Sequence, residues 1–435
     1  MIEERNDLTA RTLSEAAAVL ESGTLQPSAL LADCLAQVDR YEGTIGAWAH
    51  LDRAFALAQT READTRQAAG KRLSRLDGVP FGIKDNIDTE AFPTEMGSPI
   101  HQGRRPDADA WIVSALRSLG MVPLGKTVTT PFGMNAPAPT RNPLDPSLTL
   151  GASSVGSAAA VASGMVPITV NTQNTSSTTR PAAYAGVFAW KPTHDLIPLE
   201  GCLPLCPPTA TVAFMARAVE DFALLAEVLE LKLPKPGADA VDLARIAAVR
   251  GPWWGLAEPE AARAFDDFLG RVGIERDVPL GSRFEQALAA HRDLIAADMA
   301  VTLAEEFAQH RSQLPEEAIS FIEAGRSLPA TRYVDAMRLR GRLAAELEAA
   351  MGDCDALVTL STPGPPPRMT EGIGDGTFSM PWTFMGLPTL SLPLLADPRG
   401  RPIGLQVIGR RNQDRTLLRI GMQLAGDKSM HRVSS

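Results

Sequence analysis

Two stretches of small, hydroxyl-bearing residues lie close together in this chain. They restrict what it can fold into more than any other feature does. The first runs Gly151-Ala-Ser-Ser-Val-Gly-Ser-Ala-Ala-Ala-Val-Ala-Ser-Gly164. Its serines open an alanine run, the pattern of a helix whose first turn is lined with hydroxyls. The second runs Asn171-Thr-Gln-Asn-Thr-Ser-Ser-Thr-Thr-Arg-Pro-Ala-Ala-Tyr184. It reads as a strand end that breaks into small polar residues and is closed by Arg180-Pro181. An ordinary surface loop has no use for two such clusters. A fold that presents a serine hydroxyl beside unpaired backbone N–H groups does.

The remaining composition narrows the function class. The chain has 435 residues, 45% hydrophobic and 21% charged, enough for a large core. No apolar run reaches the roughly 18 residues that a membrane span needs. The charged start, Met1-Ile-Glu-Glu-Arg-Asn-Asp, lacks the apolar stretch of a signal peptide. The four cysteines, Cys34, Cys202, Cys206 and Cys354, form neither a CxxC pair nor a zinc quartet. A reduced, cytoplasmic protein is the expectation. A net charge of −9 with no Lys/Arg run argues against nucleic acid. Six histidines, none in an HExxH-like spacing, give little support to a metal site or a Ser-His-Asp triad. No cofactor is expected.

Hydrophobic periodicity lays out the scaffold. Residues 11–22 and 28–40 predict amphipathic helices, with Gly23 ending the first and Pro27 suiting the first turn of the second. A third, alanine-rich helix is predicted from about Leu51 to Ala69, which makes residues 1–70 a helical lead-in. Further on come a helix at Ala108–Leu119, a strand at Met121–Gly125, a long proline-rich loop over Lys126–Pro146, the alanine helix 156–163 and a strand at Pro167–Val170. This alternation points to an α/β layered fold. Residues 216–350 form a helix-rich insertion: Ala218–Leu231, Glu258–Leu269, Phe284–Ala308 and Thr331–Ala350 carry helical periodicity, and a strand at Ala244–Val249 interrupts them. Strands at Ala356–Leu360, Thr389–Pro393 and Ile403–Ile408 and a helix at Gln413–Leu424 complete the chain. No repeat, heptad or long linker divides it, so residues 1–435 are expected to form a single large domain.

One lysine stands out. Leu76-Asp-Gly-Val-Pro-Phe-Gly-Ile-Lys-Asp-Asn-Ile87 is a short buried-strand pattern with Lys84 inside it. Lysine is rarely buried without a partner. On the local pattern alone, a strand-end lysine whose head reaches solvent is the simpler reading.

Taken together, these segments resemble the amidase signature family. Gly78-Val-Pro-Phe-Gly-Ile-Lys-Asp85 resembles its catalytic-lysine segment, Gly151–Ala162 its serine-rich signature, and Gln173–Thr193 its nucleophile segment. Gly386-Leu-Pro and Pro402-Ile-Gly-Leu-Gln-Val-Ile-Gly409 are similar to its C-terminal strands. The resemblance implies an α/β/α domain with a mixed, twisted central sheet covered by helices. It also implies a Ser-cisSer-Lys triad: Lys84 as base, Ser153 as bridge and Ser177 as nucleophile, with a cis peptide bond at Ala152–Ser153. The two serines are 24 positions apart, and Pro181 follows Ser177 by four. An oxyanion hole is implied at the backbone of Asn174, Thr175, Ser176 and Ser177.

The chemistry is coherent. A serine hydroxyl needs a base, and a lysine serves only when burial lowers its pKa from about 10.4. The chain departs from the family at Thr175-Ser176, where Gly-Gly is usual, at Ala152 and Val155, and at Ala210, where an acidic residue is lost. A positive φ at residue 175 would suit a β-branched threonine poorly.

Arg180, three residues beyond Ser177, has two open readings: a fork for a substrate carboxylate, or an ion pair with an internal Asp or Glu. Met134 and Asn135, in the long loop after Lys126, are expected to face substrate. Asp85 and Asn86 are expected to order the Lys84 loop, Ser154 and Ser157 to serve helix and turn, and Trp382 and Phe384 to pack the core. The implied activity is hydrolysis of a small linear carboxamide. The alternatives are an A-type subunit of a tRNA-dependent amidotransferase, or a diverged ligand binder with weak or no turnover. The expected partner is a small amide, with a homodimer as an option and neither nucleic acid nor membrane involved.

Overall fold

The computed structural model describes residues 10–234 and 241–426. Ten strands build one sheet: β1 (Trp48–Leu51), β2 (Pro80–Lys84), β3 (Val122–Thr127), β4 (Ile168–Gln173), β5 (Phe188–Lys191), β6 (Thr211–Ala216), β7 (Ile246–Ala248), β8 (Ala356–Leu360), β9 (Thr389–Ala396) and β10 (Pro402–Gly409). Their order is β1-β3-β2-β4-β6-β5-β9-β10-β8-β7. The pairs β2–β3, β2–β4 and β7–β8 are parallel and the other pairs antiparallel, so the sheet is mixed, as expected.

Most strands are buried on both faces, which is why they read as short apolar runs without polar alternation. Two of them, β5 and β6, were not among the strands expected from the sequence. Strand β1 escaped because its partner, β3, lies far along the chain. The third helix therefore starts at Arg53, not Leu51, and the Asp52 side chain caps it by accepting from the Phe55 N–H.

Helices cover both faces. On one side Pro27–Ile45 packs on Arg53–Ala68 and reaches β2, and Val155–Ala162 packs across β2, β3, β4 and β6. Pro27 occupies the first turn of its helix, and Gly46 ends it at φ 64°. Val219–Val228 packs against Asp414–Gly426, which lies on β9 and β10. Between β6 and β8 run the helices Pro259–Val272, Gln286–Thr302, Ala304–His310, Glu316–Arg326 and Ala330–Met351. The run predicted as one helix over Phe284–Ala308 breaks at Leu303, where the backbone leaves helical geometry at φ −106°, ψ 26°. Among the described residues, no helix is long and apolar enough to cross a membrane.

The layering places two segments together. Because β2 and β4 are parallel neighbours, Lys84 and the chain leaving Gln173 emerge at the same end of the sheet. In open α/β sheets that end collects ligand-binding residues.

Candidate active site

Lys84 is the last residue of β2, an interior strand between β3 and β4, and only 1% of it is exposed. The structure therefore corrects the local reading of a solvent-reaching head. Burial strips the ammonium of water and pushes its pKa down to about 7, with nearby Cys202 acting weakly the other way. Its Nζ donates a 2.6 Å hydrogen bond to Ser153 Oγ.

Two other lysines are equally buried, but they face different groups. Lys126 donates to the Ile87 carbonyl and to Thr94 Oγ1, and it lies 3.5 Å from Asp85. Lys191 donates to the carbonyls of Leu387 and Pro192. Of the three, only Lys84 bonds to a serine.

Ser153 is also buried, and the Ala152–Ser153 peptide bond is cis. The preceding Gly151 has φ +78°, and a β-carbon there would press on the Arg180 side chain at 3.0 Å, so a larger residue would be strained. The turn Pro131–Gly133 lies over the serine. The Thr130 N–H donates to the Ser153 carbonyl at 3.3 Å, and a β-carbon on Gly133 would lie 3.4 Å from Ser153 Oγ.

Ser177 sits in the turn between β4 and the helix Thr179–Ala185. The Ser154 N–H donates to its carbonyl at 3.2 Å, tying the two serine segments together. Lys84 and Ser153 are buried, but Ser177 is half-buried and within reach of solvent. Neither Thr175 nor Ser176 takes a positive φ, so the loss of Gly-Gly strains nothing there. Among the described residues, the N–H groups of Thr175, Ser176 and Ser177 meet no hydrogen-bond acceptor. They remain available to a developing negative charge. Asn174 is half-buried beside the fully buried His291, whose imidazole desolvation pushes down to about 4 and whose ring hydrogen-bonds the Asn174 backbone.

Arg180 is 3% exposed. Nη1 donates to the Gly374 carbonyl at 2.9 Å, and Nη2 to Asn135 Oδ1 at 2.8 Å and the Ala152 carbonyl at 2.9 Å. Nε has no acceptor. Among the described residues no carboxylate pairs with this guanidinium, which removes the internal ion-pair reading. Asn135 is exposed and held at both ends: its N–H and Nδ2 donate to Glu317, at 2.8 and 3.2 Å. Met134 packs in an apolar cluster with Leu205, Met299, Leu303 and Ile322.

The supporting residues fall largely where the sequence put them. The Asp85 carboxylate accepts from the N–H groups of Glu95 and Gly97, and Asn86 Nδ2 donates to Thr172 Oγ1 at 2.8 Å. Trp382 and Phe384 are fully buried, edge-on to Trp253 and tilted against His291 respectively. Sequence reasoning missed Gln173 and Thr383, whose side chains bracket the Ser177 turn. A buried amide ending a strand two residues before the hydroxyl cluster was a usable signal for Gln173. Thr383, 210 positions away, had none.

Comparison with known proteins bears on the family and the fold. A family profile described as Amidase matches residues 29–418. The chain is 31% identical over 467 aligned residues to the A-type subunit of glutamyl-tRNA(Gln) amidotransferase from Chloroflexus aggregans, covering 94% of this chain and 95% of that protein. A solved structure described as an amidase superposes with a TM-score of 0.87 at 28% identity, over 96% of this chain and 99% of the other. The native peptide amidase from Stenotrophomonas maltophilia gives a TM-score of 0.80 at 25% identity, over 96% and 97% of the two chains.

Proposed function

The chain belongs to the amidase family, and from that premise we propose that it is a serine amidohydrolase of small linear carboxamides, with Lys84, Ser153 and Ser177 as its catalytic residues. The observation that carries this reading is the buried 2.6 Å contact between Lys84 Nζ and Ser153 Oγ. Near neutral pH a lysine shifted to about 7 is in good part the free amine, which is a base. Ser153 passes its proton to Nζ and takes the proton of Ser177. The Ser177 oxygen then attacks the amide carbon. The oxyanion of the tetrahedral intermediate rests on the N–H groups of the 174–177 turn, where one such donor is typically worth about 3 kcal/mol of barrier. As the C–N bond breaks, the proton held by Lys84 returns through Ser153 to the leaving nitrogen. Ammonia or an amine departs and an acyl ester remains on Ser177. Water, activated by the same relay, hydrolyses that ester and restores the serine.

Arg180, Met134 and Asn135 are proposed to line the acyl side. Arg180 supports a substrate with a polar or anionic end, because its guanidinium is desolvated, forms no ion pair among the described residues and keeps one donor unused there. The four free, buried cysteines suit a reducing cytoplasm, where we place the enzyme.

Ammonia release across a panel of small amides tests the reading, comparing wild type with Lys84→Ala, Ser153→Ala and Ser177→Ala. All three variants should lose turnover by about a thousandfold or more while remaining folded. Full turnover in Ser177→Ala would exclude it. A second reading, as the A-type component of a tRNA-dependent amidotransferase, is favoured by the Chloroflexus relative, which the chain matches over nearly its whole length. Activity confined to glutamine, and only with a co-purifying partner protein, would select that reading. Failure of a fluorophosphonate probe to label Ser177 would select a diverged ligand binder.

A further inference from the structure

We propose that Gln173, acting through Thr383, is the positioning residue that aims the oxyanion-binding turn around Ser177. This role rests on the hydrolase reading above. Gln173 ends β4 and is fully buried. Its Oε1 accepts from the N–H groups of Thr178 and Thr179, both at 2.8 Å, and from Thr179 Oγ1 at 3.1 Å. Its Nε2 donates to Thr383 Oγ1 at 3.0 Å, and Thr383 Oγ1 donates to the Thr175 carbonyl at 2.8 Å.

The direction of this chain is fixed. Turning the amide over would point an NH2 group at two backbone N–H donors. With Nε2 thus aimed at the threonine oxygen, the single hydroxyl proton must go elsewhere. The Thr175 carbonyl at 2.8 Å is closer than the alternative, the Ser379 carbonyl at 3.2 Å. One side chain thereby grips the Ser177 turn on both sides: two N–H groups after the serine directly, and the carbonyl two residues before it through Thr383.

The grip bears on catalysis because a trans peptide is rigid. Its C=O and the following N–H point in opposite directions. Fixing the Thr175 carbonyl on Thr383 therefore fixes the Ser176 N–H facing away from Thr383, and that N–H meets no acceptor among the described residues. Gln173 itself touches none of Lys84, Ser153 or Ser177 by side-chain hydrogen bond. A glutamate at this position keeps the shape and the acceptor for Thr178 and Thr179. It offers no N–H to Thr383, whose proton would turn to the carboxylate and release the Thr175 carbonyl.

The test compares Gln173→Glu, Thr383→Val, the double variant and Thr383→Ser by the rate at which a fluorophosphonate labels Ser177, with thermal melting as the control for folding. A crystal structure of Thr383→Val is solved alongside. Phosphonylation joins the Ser177 oxygen to phosphorus, expels fluoride and sends the hydroxyl proton to the Ser153–Lys84 relay. The phosphoryl oxygen must then be received by the turn. Gln173→Glu and Thr383→Val should label about 10- to 100-fold more slowly with Tm nearly unchanged, the size expected for a misaimed oxyanion donor. The double variant should be no slower than the slower single, because both cut one chain. Thr383→Ser should stay within about twofold of wild type. The crystal structure should show the Thr175 carbonyl turned from its present direction. Labelling at the wild-type rate in both single variants, multiplicative losses in the double, or an unmoved Thr175 carbonyl in Thr383→Val would each overturn the proposal. If wild type itself is not labelled, the hydrolase reading fails separately and the crystal structure alone decides the grip.

Discussion

Ser176 and Gly376 meet so closely that a β-carbon on the glycine would overlap Ser176 Oγ and stand 2.9 Å from its Cβ. This contact docks the glycine-rich segment 372–376 onto the turn that carries Ser177, next to the Gly374 carbonyl held by Arg180. Overpacking such a contact typically costs about 1–3 kcal/mol. Gly376→Ala should lower Tm and slow Ser177 labelling. Ser176→Gly in the same chain should recover most of both, because it removes the atoms in the way. A double-mutant cycle on thermal unfolding and labelling rate measures the coupling. Purely additive effects would mean that the two residues do not act on one another.

The pH dependence of the proposed reaction follows from Lys84. The amine must be neutral to accept a proton, and burial places its titration near pH 7. Turnover should therefore climb with pH through about 7 and fall roughly tenfold per unit on the acid side. Stability carries the same signature. The unfolded lysine keeps its proton up to its ordinary value of 10.5, while the folded one gives it up near 7. Between these values the unfolded chain binds more protons, so this residue's contribution to stability rises with pH. Below pH 7 its burial cost is complete and constant. Denaturant unfolding of wild type and Lys84→Met isolates the effect, since Lys126 and Lys191 titrate in both. The variant should be inactive and more stable at pH 6, with its advantage shrinking steadily from pH 7 to pH 10.

Arg180→Met tests what the buried guanidinium does. Three acceptors, at Gly374, Asn135 and Ala152, would lose their donors. Of these only the bond to the Ala152 carbonyl is fully buried, and an unsatisfied buried acceptor costs about 1–3 kcal/mol, partly offset by relief of the guanidinium's own desolvation. Tm should drop by several degrees. With an amide that carries a carboxylate, KM should rise about tenfold or more, and with a neutral amide of similar size it should hardly move. Equal losses with both amides would leave Arg180 a structural role only.

Much of the site was legible because its parts are local. Ser153 and Ser177 lie in segments whose small residues and closing Arg180-Pro181 mark a turn packed tightly against a helix. The helices at residues 13–21, 27–45 and 414–426 announced themselves by periodicity, with Pro27 marking the start of the second. Lys84 was ambiguous for a definite reason. Five residues of strand pattern do not reveal whether a strand lies at an edge or in the interior. The threonine at 175, which looked unsuited to a glycine position, turned out to occupy ordinary backbone space.

By itself, the sequence determined most of the helices, most of the strands and the two hydroxyl-rich turns, and it marked Lys84, Ser153 and Ser177 as candidates for chemistry. These are properties of a few neighbouring residues. Only the tertiary structure decided that Lys84 is shut between β3 and β4 against Ser153, that Arg180 bonds to Gly374, Asn135 and Ala152 and forms no ion pair among the described residues, and that Thr383 reaches back to Gln173. The reason lies in what burial is. A side chain's desolvation, and with it its charge state, sums over atoms brought in from distant parts of the chain, and no local stretch of sequence contains that sum.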